Sequence, residues 1–78
     1  MEKNLKLIWD FRGPTAKQTA EHHEIHLKEY STAQNLTLTT TGTMDISELY
    51  SIAYMIVTPT EMPEVRDALK PHRGQYAE

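Results

Sequence analysis

Three of the chain's four histidines fall within six residues, Glu21-His22-His23-Glu24-Ile25-His26. Imidazoles at i and i+4 on a helix can share a metal ion, and a single buried imidazole can serve as a base. A zincin needs H-E-x-x-H, with Glu directly after the first His as general base. Here the glutamate comes one position late, which removes that motif. A catalytic zinc needs three protein ligands; His22 and His26 would supply two, and a third would have to come from His72 or a carboxylate. The absence of cysteine excludes thiolate sites and disulfides. The expectation is therefore no metal and no cofactor, with a centre on His22 and His26 as an alternative.

Two further groups of residues could bind rather than react. Asp10-Phe11-Arg12-Gly13-Pro14-Thr15 joins a strand to a helix N-terminus, where free N–H groups and the helix dipole favour an anion and Arg12 adds charge. The run resembles the Asp-Arg-Pro-Gly turn of ACT regulatory domains, with the Gly and Pro transposed. It also resembles in position the loop that carries two cysteines in heavy-metal-associated domains, and without cysteine a copper-chaperone role is excluded. Near the end, Lys70, His72 and Arg73 gather cationic character after a second helix. The binding site expected from these patterns comprises Arg12, His23, His26, Tyr30, His72 and Arg73, the arginines holding an anionic group and the others supplying hydrogen bonds.

The elements that must position these residues can be read from periodicity. Leu5, Leu7, Trp9 and Phe11 alternate with Lys6, Ile8, Asp10 and Arg12, the period of two of a first strand. Gly13 and Pro14 end it, and Thr15 with Gln18 forms a capping-box pattern for a helix over 16–33. Ala16, Ala20, His23, Leu27 and Tyr30 lie within roughly 40° of one line down that helix. His23 thus points at the core, facing Trp9 and Phe11, with His26 at its border, His22 outward and Ile25 opposite. After Asn35, the alternation of "LTLTTTG" predicts a second strand from Leu36, and 42–48 a connection. Residues 49–57 are apolar on both faces and predict a central third strand. A second helix starts at a Thr60 cap, tolerates Pro63 and stops at Pro71. Residues 72–78 fit an edge strand beside the first or an ordered tail.

The order β-α-β-β-α, with a possible short last β, predicts an α+β chain of the ferredoxin-like split βαβ type: one antiparallel sheet with both helices on one face. All 78 residues read as one domain. A net charge of -3 with scattered bases argues against nucleic acid. The N-terminus lacks a signal-peptide pattern and no run is long and apolar enough for a span, so a cytoplasmic protein without membrane contact is expected. Ile8 and one face of 49–57 would lie open to water in a single copy, which points to a homodimer through that sheet face. The leading functional reading is a small homodimeric module that binds an anionic small molecule or a protein. The alternative is a cofactor-free dimeric α/β-barrel enzyme, an isomerase or monooxygenase, with His23 or His26 as base in a cavity of at least ~300 Å³.

Overall fold

The computed structural model of the chain describes residues 3–38 and 40–77. Its elements run β1 (Leu5–Arg12), α1 (Ala16–Ala33), β2 (Thr41–Ser47), β3 (Tyr50–Val57), α2 (Met62–Leu69) and β4 (Arg73–Tyr76). The fold is α+β, with one open four-stranded sheet in the order β2-β3-β1-β4 and every neighbouring pair antiparallel. That order is compatible with the ferredoxin-like arrangement.

β1 and β3 are the centre. They pair along eight positions, from Leu5 opposite Val57 to Arg12 opposite Tyr50. Because side chains alternate between faces, Leu7 and Trp9 join Ala53, Met55 and Val57 on one side. There they meet Ala20 and Leu27 of α1 and Val65 of α2 in a single core. Burial of this apolar surface stabilises the layers at ~25 cal/mol per Å². The indole N–H of Trp9 donates to the Leu69 carbonyl (3.0 Å), which satisfies an orphan acceptor at the end of α2 and ties that helix to β1.

α1 keeps its predicted bounds and buries Ala16, Ala20, Leu27 and Ser31. Asn35 closes it with φ 52°, a left-handed conformation that asparagine tolerates better than most side chains. Of the two expected N-terminal caps, Thr15 holds its position at α1 without the expected capping bond, and the one at α2 is corrected. The Thr15 φ of -106° and ψ of 15° depart from the extended cap geometry that aims the hydroxyl at the first turn. For α2 the N-cap is Glu61 rather than Thr60 and makes no side-chain cap bond; in the turn before it, Thr58 Oγ1 accepts from the Glu61 N–H (3.3 Å) and donates to the Glu61 carboxylate (3.0 Å).

The second strand is also displaced. Residues 36–38 and 40 run without strand structure, Thr39 lies outside the described residues, and β2 begins at Thr41, occupying most of the segment expected to be a connection. Two effects set this. Leu36 packs against the core and Thr37 is held by the Glu61 carboxylate (2.9 and 3.2 Å), so the chain leaving α1 is anchored before it reaches the sheet. β2 then pairs with β3 through a turn at 48–49, opposite Tyr50–Met55, with a register irregularity between Asp45 and Ser47.

The helix face defines a sharp contrast. Leu27 has no exposed surface, whereas Ile25, two residues away, is 55 % exposed. In urea unfolding, Leu27→Ala is expected to cost ~2–5 kcal/mol and Ile25→Ala no more than ~0.5 kcal/mol. Equal effects would contradict this orientation of α1.

Candidate functional site

On the helical side of the sheet, His23 lies against the rings of Trp9 (5.0 Å between centroids) and Phe11 (5.4 Å). Its Nε2 is buried and has no hydrogen-bond partner among the described residues. Desolvation disfavours the imidazolium and lowers the His23 pKa, and the charges of His26, His72 and His22 act in the same direction. No cavity opens beside it among the described residues, so the space a catalytic base would share with a substrate is missing there. A buried imidazole ordinarily bonds a backbone group or another side chain. For Nε2, packing of the ring against Trp9 and Phe11 takes that place.

His26 turns away from the core. Its Nε2 lies 3.0 Å from that of His22, both rings being exposed, and its Nδ1 is 3.8 Å from Glu29. No group of three or more His, Asp or Glu side chains is placed to hold a metal among the described residues. Tyr30 packs at the core edge, about 10 Å further along the helix axis from His23.

Among the described residues, the other face of the sheet carries no helix. Lys6, Ile8, Asp10 and Arg12 of β1 lie there opposite Ile56, Tyr54, Ile52 and Tyr50 of β3. Asp10 is the hub. Its carboxylate accepts a hydrogen bond from the Tyr50 hydroxyl and a two-pronged contact from the Arg73 guanidinium at 3.2 Å on each oxygen. Hydrogen bonding from Tyr50, then from Arg73, holds the Asp10 carboxyl below its ordinary pKa, against the opposing effect of desolvation. The backbone N–H of Asp10 donates to His72 Nδ1 (2.8 Å). This bond requires an unprotonated Nδ1.

Two cations converge on Tyr50. Arg73 Nη2 is 3.3 Å from its hydroxyl, and the Arg12 guanidinium carbon stands 4.0 Å from the ring centroid. Further along β3, Lys6 Nζ lies 4.4 Å from the centre of the Tyr54 ring. Tyr54 reaches across β2 at Gly42, where a Cβ would collide with its hydroxyl. The absence of a side chain at 42 leaves the sheet surface open to that ring.

The expected site residues therefore divide. Arg12 and Arg73 share the open face; His23 lies on the helical side, 5.4 Å from the Phe11 ring, with His72 6.4 Å from that same ring; His26 and Tyr30 join neither group. Arg12 stacks on Tyr50 rather than adding its charge to the start of α1. Missing from the expected set are Asp10, Tyr50 and Tyr54. Their signal was present in the alternation, which places Asp10 on Ile8's face of β1 and both tyrosines on one face of β3. Recognising the hub needed the β1–β3 register, which no local pattern sets.

The expectation that Ile8 lies open to water is corrected. Ile8 is 2 % exposed and Ile52 3 % within one chain. Their cross-strand neighbours are Tyr54, Arg73, Asp10 and Met44, long enough to shield them. Ile8 and Ile52 thus drop out of the apolar surface that pointed to a second copy, while Tyr54 and Ile56 stay half-buried and Met44 exposed on this face. Comparison with protein-family models, curated proteins and solved structures gave no match for the chain.

The lowered pKa of His23 fixes a direction for stability. Between the folded value and the ordinary 6.5 the unfolded chain binds the extra proton, so this contribution is full above about pH 6.5 and is lost as pH falls toward the folded value. His23→Leu is expected to raise Tm, and to raise it more at about pH 5 than at about pH 7.5. An equal change at both would contradict a depressed imidazole.

Proposed function

We propose that this chain is a ferredoxin-like binding module, without catalysis of its own, that receives an anionic ligand on the open face of its sheet. The observation that carries the reading is the convergence of Arg12 and Arg73 on one tyrosine, Arg12 over its ring and Arg73 at its hydroxyl. Asp10 is the carboxylate between them. It partners Arg73 and positions Tyr50, while Arg12 keeps its charge and its fork of donors toward solvent, the geometry that suits carboxylate and phosphate groups. An incoming anion would take the outward donors of Arg12 and compete with Asp10 for Arg73. The histidines of α1 serve packing and surface in this reading, and the ferredoxin-like assignment rests on strand order and pairing.

Pyrophosphate is the simplest probe. At low ionic strength it is expected to raise Tm in the parent protein and in His23→Leu. The rise should fall by at least half in Arg12→Gln and disappear in Arg12→Gln/Arg73→Gln. A thermal shift that survives in the double variant would place the anion elsewhere.

A further inference from the structure

The open face repeats one unit, a tyrosine ring with a cation over it: Arg12 on Tyr50 at 4.0 Å and Lys6 on Tyr54 at 4.4 Å. Both rings project from β3 on the same side, four positions apart, so the units are spaced ~13 Å along the strand. We propose that this face binds single-stranded nucleic acid, Arg12 and Lys6 swinging off the rings of Tyr50 and Tyr54 to take phosphates with Arg73 while bases stack on the ring faces they vacate. The proposal rests on the anion-binding reading above and names the chemical class of the ligand.

Three features favour that polymer. The described residues enclose no cavity, which suits an extended chain better than a small molecule requiring enclosure. Ring and cation occur together twice, and single-stranded nucleic acid likewise offers a planar ring and a negative charge in every unit. The third feature is where the charge lies. Against the chain's net charge of -3, Lys6, Arg12 and Arg73 with Asp10 leave this face at +2, while three bases and six acids on α1, α2 and residue 61 leave the helical layer at -3. The overall charge that argues against nucleic acid thus conceals a cationic face and an acidic one. An acidic peptide would match the charges and leave the rings unused. Two copies face to face would oppose like charge.

The test uses a fluorescent oligo-dT of about ten nucleotides, followed by anisotropy at low salt with the full chain. Saturable binding is expected, with a log–log salt slope of about -2 for three cations on a single strand. Tyr54→Leu and Lys6→Gln, each checked for folding by circular dichroism, should weaken it at least about fivefold. Polyglutamate should compete poorly. No anisotropy change, unchanged affinity in Tyr54→Leu, or equal competition by polyglutamate would overturn the nucleic-acid proposal. In those cases a pyrophosphate response dependent on Arg12 and Arg73 would leave the anion reading standing, and loss of that response would remove both. A concentration-dependent dimer in light scattering that excludes the oligonucleotide would assign the face to a second copy and would also overturn it.

Discussion

The carboxylate of Asp10 is the constraint around which the uncovered half of the molecule is organised. It lies on a central strand, opposite Ile52, where a half-buried negative charge is costly unless its lone pairs are taken up. They are taken up by Tyr50 from β3 and Arg73 from β4, while the Asp10 N–H engages His72 as the chain enters β4. One side chain thus joins three strands. β4 is only four residues long and its residues are exposed, so it is held at the sheet edge by the bonds to Asp10, the ladder to Leu5–Ile8 and the Ala77 N–H bond to the Asn4 carbonyl.

The same arrangement explains how a chain of this size leaves one sheet face without a helix. Small domains have little interior to spare. Here the helical side holds the main core, around Leu7, Trp9, Leu27, Met55 and Val65. Among the described residues the other face buries only Ile8 and Ile52 and surrounds them largely with side chains that combine apolar stems or rings with polar ends. Such amphipathic side chains shield apolar surface while keeping their charged groups in water. The outcome is a face that is closed to solvent at its centre and chemically addressable at its surface.

Much of this was legible in the residues. β1, α1 and β3 announce themselves because each is long enough for its period to stand out, and β3 betrays its central place by being apolar on both faces. The approach of His23 to Trp9 and Phe11 followed from helical spacing alone. The segment 36–47 misled because two adjacent stretches both alternate; anchoring of Leu36 and Thr37 by other parts of the fold, with pairing set from β3, decided between them. The open-face cluster was legible only in part. Arg12 and Arg73 stood out as charges beside turns, but Asp10 and Tyr50 are 40 positions apart and meet through a register that no local pattern encodes. Ile8 was read as uncovered for the same reason, since its cover comes from neighbouring strands.

If Asp10 is the hub, its ionisation reports the whole arrangement. The most direct measurement is an NMR titration of the Asp10 carboxyl carbon in the parent protein and in Tyr50→Phe, observing the Arg73 side chain in parallel. The account predicts a midpoint below the ordinary 3.8 in the parent, a rise toward that value when the hydroxyl donor is removed, and a change in the Arg73 resonances as Asp10 takes up its proton. A midpoint at or above 3.8 that does not respond to Tyr50→Phe would contradict it.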